Sequence, residues 1–373
     1  MNAFVCWTSY QLINAINVRM RLDTQPADLY LCDYFSDARR LYEAVSGLGL
    51  FAHVYFCEDD ADLRLKHGYI HQKMWMAKKA LAKLVQPQFN PAQQYDTLYT
   101  FGFFPLARLI HAWQYKMNPA VRLVFVDEGL QNYISPLSGG VPGRLRVLYK
   151  ILRLPLFQEH IEKNLLYRPD WLVASSQIPT EPLPMLHTDD QALCDALDRL
   201  FPVDPQKIGP CGPVLFLDQP MFEALTSREN ERYEAALVDM LGHLADRAGK
   251  QSITVKMHPR NASTLYRDHG IAQLGAPGIG MEVLLFNRLI DSRIYVTIFS
   301  TAALEPKMLF DQEPVLLCVH RLFQDYIADY KLDGFEKLLK RVKQSYRDPD
   351  KVLIPDTLQQ LDACMDTINT NNW

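Results

Sequence analysis

Residues 121–134 read VRLVFVDEGLQNYI, and the way this apolar run ends decides how the chain is to be folded. Val121 to Val126 is mostly branched and aromatic, the pattern of a buried strand, and it stops at two adjacent acids and a glycine. Asp127 and Glu128 therefore stand at a strand's carboxyl end. In open α/β sheets that edge is where ligands bind, and Gly129 there permits a tight turn and close approach of a substrate. Taken alone, one DEG tripeptide reads more simply as a helix-capping Asp127 and a solvated Glu128. The rest of the chain has to decide between the two.

Working outward, short β-prone runs recur at 3–7 (AFVCW), 28–32 (DLYLC), 53–57 (HVYFC) and 96–100 (DTLYT), each separated by room for a helix or loop, and 171–174 (WLVA) reads as one more strand. Strand alternating with helix implies parallel strands of the doubly wound class. From Ser175 to Pro213 seven prolines interrupt everything except a helix near 189–200. The pattern then restarts with strands at 214–217, 252–257, 293–299 and 313–319 and an amphipathic helix at 230–248. The expected organisation is a Rossmann-like domain over 1–175, an interdomain connection over 176–212 and a second Rossmann-like domain over 213–345. A helical tail over 346–373 ends the chain, with packing back on the N-terminal domain as the option considered. Neither half carries GxGxxG or a P-loop, so any nucleotide is held some other way.

The chain has 373 residues, 48% of them hydrophobic, enough for two ordinary cores. A net charge of -4 gives no electrostatic footprint for nucleic acid. Seven cysteines without a CxxC pair argue against a disulfide framework or structural zinc and read as small core residues in a reducing compartment. The start, MNAFVCWTSYQLINAI, lacks a basic segment before its apolar residues and is not read as a signal peptide, and no window approaches the ~20 apolar residues of a membrane span. The expected location is the cytosol.

The second half supplies partners for the acids. VKMHPRN puts His258 and Pro259 directly after a strand, although a His-Pro there is more often a turn with a solvated imidazole. VTIFSTAALEP ends a strand with Ser300 and Thr301 and opens a helix, either as an ordinary cap or as a seat for phosphate. PGIGMEVLLF places Glu282 on a helix entered through Gly278 and Gly280, where a carboxylate could take ribose hydroxyls or merely face solvent.

The series Asp127-Glu128-Gly129, His258-Pro259, Glu282 and Ser300-Thr301 resembles the motifs of bacterial sialyltransferases with the GT-B fold. Within that group it is most similar to the lipooligosaccharide sialyltransferases of glycosyltransferase family 52 and the related capsule polysialyltransferases. FVCWTSYQLINAI and VLFLDQP fit as well, so the likeness runs over most of the chain. The resemblance implies two Rossmann-like domains facing each other across a cleft, and inverting transfer of sialic acid from CMP-sialic acid to a sugar hydroxyl of a bacterial surface glycan, lipooligosaccharide or capsule, with no cofactor. It gives Asp127 the base role with Glu128 supporting or substituting, and His258 the leaving phosphate. Ser300 and Thr301 would hold the phosphate oxygens and Glu282 the ribose. Thr301 stands where a second serine is often seen. Two alternatives stay open: a GT-B enzyme using another nucleotide sugar, and a catalytically silent glycan-binding or assembly protein.

A metal-dependent transferase would show DxD at a strand end. Asp60-Ala61-Asp62 and Asp348-Pro349-Asp350 match the letters but read as a helix start and a polar loop, so no metal is expected. Basic, aromatic-rich stretches at 64–85 and 143–163 read by default as amphipathic helices with solvated basic faces. Their functional reading is contact with an anionic glycolipid acceptor or the inner leaflet of the cytoplasmic membrane.

Overall fold

The computed structural model describes residues 1–33, 35, 37–57, 93–134, 146–147, 150–151, 155–173, 178–219, 225–258, 261, 263–275, 278–327, 329–371 and 373. They form two compact units, one of Met1–Pro169, Ala174–Pro184 and Asp189–Pro202, the other of Asp170–Val173, Met185–Thr188 and Val203–Trp373.

The first unit is built on seven parallel strands: β1 (Asn2–Cys6), β2 (Ala27–Cys32), β3 (Val54–Cys57), β4 (Thr97–Thr100), β5 (Arg122–Val126), β6 (Ile161–Leu166) and β7 (Thr180–Pro182), in the order β3-β2-β1-β4-β5-β6-β7. β1, β2 and β5 are mostly apolar in sequence, and they lie inside because a parallel sheet is covered on both faces. The second unit repeats the plan with β8 (Val214–Leu217), β9 (Ile253–Lys256), β10 (Ala272–Gln273), β11 (Ile294–Thr297), β12 (Val315–Cys318) and β13 (Val352–Leu353), in the order β10-β9-β8-β11-β12-β13. In both sheets the order reverses beside the first strand, between β1 and β4 and between β8 and β11. Those reversals are the switch points at which doubly wound sheets hold ligands at their carboxyl ends.

The structure revises the sequence reading at three points. The run WLVA is no strand: Trp171 closes a short 3-10 turn, Pro169–Trp171, and is fully buried with its indole Nε1 donating to Ser345 Oγ at 3.0 Å. Its apolar content serves packing rather than a ladder. The strand of that region is β6, whose sequence IEKNLL hides a strand behind Glu162, Lys163 and Asn164. The third concerns the tail. Leu361, Met365 and Ile368 of the Leu358–Asn371 helix enter the core of the second unit against Leu237, Met240 and Leu244 of the Ser227–Ala248 helix. That pairing is fastened at the surface by Arg247 to Asp366 at 3.0 Å.

Within 176–212, read as a connection, Thr180–Pro182 forms the outermost strand of the first sheet and Gln191–Leu200 a helix of the first unit. Pro182 is tolerated there because an edge strand has a side without ladder bonds.

Candidate active site

At the first switch point the Ser9–Arg21 helix begins one turn after β1, with Thr8 capping it by accepting the Gln11 amide at 3.2 Å. The Gln11 side chain turns back, its Oε1 accepting the Trp7 amide at 2.7 Å and its Nε2 donating to Glu128 Oε2 at 3.2 Å. β4 runs into Gly102, which is buried, and a methyl group there would lie 2.9 Å from Glu128 Oε2 and 2.8 Å from the Phe104 ring. A glycine at 102 is thus what lets the Glu128 carboxyl and that ring come together. The Phe104 ring in turn stacks on Trp7, with centroids 4.9 Å apart and planes 14° apart.

The two acids of β5 have separate fates. Asp127 is fully buried. Its carboxylate accepts from the Gly129 amide at 2.8 Å, the Tyr167 amide at 3.2 Å and the Tyr133 hydroxyl, so it locks the turn rather than capping the Leu130–Ile134 helix. Burial pushes its pKa up to about 6, with those donors pulling the other way. Asn14 anchors the Asp127 carbonyl at 2.8 Å and accepts from the Tyr167 hydroxyl at 2.7 Å, closing the network. Gly129 has φ 107, a conformation other residues resist. Glu128 is half-buried, and burial together with the neighbouring Asp127 charge raises its pKa to about 8, against the opposing Gln11 hydrogen bond. Of the pair, Glu128 is the less buried acid.

At the second switch point β8 is followed by Asp218, which is 5% exposed and accepts from the His258 amide at 3.1 Å, Asn261 Nδ2 at 2.8 Å and the Tyr266 hydroxyl at 2.5 Å. His258 follows β9 by two residues, at the carboxyl edge as expected; Pro259 lies outside the described residues. Lys256, the last residue of β9, is buried in the field of Glu282, Glu305 and Asp218: desolvation lowers its pKa and the three carboxylates oppose it. Glu282 is not a solvated surface acid. It is 5% exposed, its carboxyl folds over Gly280, where a methyl group would collide with Oε1, and burial raises its pKa against the pull of Lys256.

Ser300 and Thr301 stand after β11. Ser300 Oγ accepts the Ala302 amide at 3.3 Å, and the Ser300 amide donates to Thr297 Oγ1 at 2.9 Å. The chain then makes a 3-10 turn, Thr301–Ala303, and enters the short Glu305–Phe310 helix. A helix so brief carries little macrodipole, so any anion held here depends on local amides and hydroxyls.

Sequence reasoning missed Gln11, Gly102, Asp218, Lys256 and Glu305. Asp218 bears the same signature as Asp127, an acid directly after an apolar strand, and Thr8-x-x-Gln11 has the spacing of a capping box. Nothing in the sequence marks Gly102 or Lys256.

Among the described residues no group of three or more His, Cys, Asp or Glu side chains could hold a metal ion. Asp60 and Asp62 lie outside the described residues, and Asp348 Oδ1 accepts the Asp350 amide at 3.2 Å within a local turn. The 64–85 stretch is likewise outside them. Of 143–163, Arg146, Val147, Lys150 and Ile151 are helical, with Val147 59% and Ile151 71% exposed. No helix among the described residues is long and apolar enough to cross a membrane.

No protein-family model matches the sequence, and no curated protein does. Solved structures do match the fold. An α/β-galactoside α-2,3-sialyltransferase from the luminous marine bacterium Photobacterium phosphoreum has a TM-score of 0.54 at 10% identity, over 96% of this chain and 98% of that one. UDP-GlcNAc 2-epimerase from Methanocaldococcus jannaschii gives 0.48 at 11% identity, over 98% and 92%, and UGT2 from Phytolacca americana 0.46 at 13%, over 99% and 90%. At such identities the likeness is one of fold. With its two successive doubly wound parallel sheets, the chain has the GT-B glycosyltransferase fold.

Proposed function

We propose that the protein is an inverting glycosyltransferase that moves sialic acid from CMP-sialic acid to a hydroxyl of a bacterial surface glycan, without metal or cofactor. The observation that carries this reading is the division of the acid pair at the end of β5. Asp127 is sealed and tied by three donors, while Glu128 is half-buried, with its proton affinity raised toward neutral pH. A raised carboxylate at a ligand-binding sheet edge is what deprotonating an alcohol requires. The donor side draws support from His258, Ser300 and Thr301 at the carboxyl edge of the second sheet, and the sialyl donor from the motif series together with the fold.

The roles within the pair differ from the first expectation. Glu128 acts as the base: it takes the acceptor hydroxyl's proton as that oxygen attacks the anomeric carbon of the sialyl residue. The bond from that carbon to the phosphate oxygen breaks, and its electrons leave on cytidine monophosphate. Asp127 holds the strand-to-helix turn that presents Glu128. His258 donates a hydrogen bond or proton to the departing phosphate, and Ser300 and Thr301 hold its oxygens. Glu282, buried beside Lys256, serves the nucleoside end of the donor. Val147 and Ile151, exposed one turn apart beside Arg146 and Lys150, are the residues through which a peripheral contact with the inner membrane face would be made.

The experiment is donor turnover. Release of cytidine monophosphate from CMP-sialic acid, accelerated by a sugar acceptor, is expected. Release from a uridine or guanosine sugar instead would move the donor assignment to another nucleotide, and no turnover with any donor would leave a glycan-binding protein.

A further inference from the structure

The acceptor side of this site contains an aromatic pair that base chemistry does not need. Trp7 is 6% exposed and Phe104 half-buried, so Phe104 is the ring that the stacked pair offers outward. Its edge and the Glu128 carboxyl both lie over Gly102, where a methyl group would touch each of them. The pair is held from two directions. Gln11 fixes the Trp7 backbone and the Glu128 carboxylate with one side chain, and Phe104 is pinned at the start of the Pro105–Met117 helix as its N-cap residue. A residue serving only to flank a helix start would not need a buried glycine to make room for its ring and an ionisable group at one place. The arrangement joins an apolar π-face to a hydrogen-bonding acid, rigidly and at a sheet switch point.

One ligand chemistry matches both halves. A pyranose has a face of slightly positive C–H groups that suits the negative face of an aromatic ring, and a rim of hydroxyls that suits a carboxylate. We propose that Phe104, backed by Trp7, is the platform on which the terminal pyranose of the acceptor lies, with the hydroxyl to be glycosylated directed at Glu128. This rests on the glycosyl-transfer reading above and adds the acceptor's binding mode. The ring orients the sugar and Gly102 keeps the ring and the base in register.

Saturation-transfer NMR with a panel of methyl pyranosides tests binding directly, and steady-state kinetics with CMP-sialic acid tests its use. In the wild type, saturation is expected on the C–H protons of one sugar face. Phe104→Leu, which keeps apolar volume but removes the π-face, is expected to lose that pattern and raise the acceptor KM roughly 2- to 12-fold, the worth of an aromatic contact. The donor KM should not move, and Phe104→Tyr should restore the acceptor KM. An unchanged acceptor KM in Phe104→Leu overturns the platform, as does an equal rise in donor and acceptor KM, or a panel none of whose members binds. If the wild type binds pyranosides through Phe104 but turns over no donor, the transferase reading fails and the platform stands.

Discussion

The side-chain amide of Gln11 donates to the Glu128 carboxylate at 3.2 Å across 117 positions of sequence. It stabilises the ionised form and so works against the burial and the Asp127 charge that hold the Glu128 pKa at about 8. A base must be deprotonated, so kcat/KM should climb with pH and level off above about 8. Gln11→Leu removes the donor and should move that limb to higher pH, by about one unit if the hydrogen bond is worth 1.4 kcal/mol. The pH profiles of the two proteins decide it; a limb that stays in place would mean that the titrating acid is not Glu128.

Exchanging one acid at a time separates chemistry from architecture. Glu128→Gln is expected to lower kcat by roughly 10²- to 10⁴-fold while the melting temperature at pH 7 stays near or above that of the wild type. Asp127→Asn brings an amide N–H toward Tyr133, Gly129 and Tyr167, all of which donate at that site. A buried donor facing donors costs about 1–3 kcal/mol, so this variant should melt lower and lose activity through the displaced turn. Full activity in Glu128→Gln alongside a dead but stable Asp127→Asn would return the base role to Asp127.

The raised pKa of Glu128 also has a stability consequence. The folded protein holds this proton more tightly than the unfolded chain, whose Glu titrates at about 4.3. Stability from this group is therefore whole below the unfolded value and is lost as pH rises through about 8. Glu128→Gln carries no such charge. It should melt above the wild type at pH 9, by about 2–4 °C for each kcal/mol relieved, and the gap should close by pH 4. Thermal melts across that range check the sign.

How far these features were legible beforehand depends on their range in sequence. β1, β2, β5 and β8 announce themselves because a strand buried on both faces is mostly apolar. β6 does not, because IEKNLL carries three polar residues. The site follows the same division. That Asp127 and Glu128 stand at a strand end is local and could be read. Which of them is sealed depends on Tyr133, Tyr167 and Asn14, and the Tyr167 and Asn14 contacts reach 40 and 113 positions from the acid. Gly102 shows no signal, since its value lies in what it leaves room for. Lys256 reads simply as the end of a strand until Glu282, Glu305 and Asp218 surround it.

Membrane contact, if it is made through the 143–163 stretch, rests on Val147 and Ile151, which are 59% and 71% exposed. Co-sedimentation with phosphatidylglycerol-containing vesicles should be lost in a Val147→Asp, Ile151→Asp double variant and weakened by salt, as expected of apolar insertion assisted by anionic lipid. Equal binding by wild type and variant would assign any contact to other residues.

On the donor side, Ser300 and His258 should fail in different ways. Ser300 Oγ accepts the Ala302 amide, which leaves its hydroxyl proton able to donate to a phosphate oxygen. Ser300→Ala should therefore weaken binding of cytidine monophosphate by about 0.5–3 kcal/mol and raise the donor KM correspondingly. His258 is placed by its own backbone, which donates to the buried Asp218, so truncating its side chain leaves that anchor in place. His258→Ala should keep most of the nucleotide affinity and lose kcat, because its part comes as charge develops on the leaving phosphate. Calorimetry with cytidine monophosphate on both variants, with and without chelator, separates these roles. Unchanged affinity in Ser300→Ala would remove the phosphate seat from the carboxyl end of β11, and binding abolished by chelator would replace the metal-free mechanism with one that requires an ion.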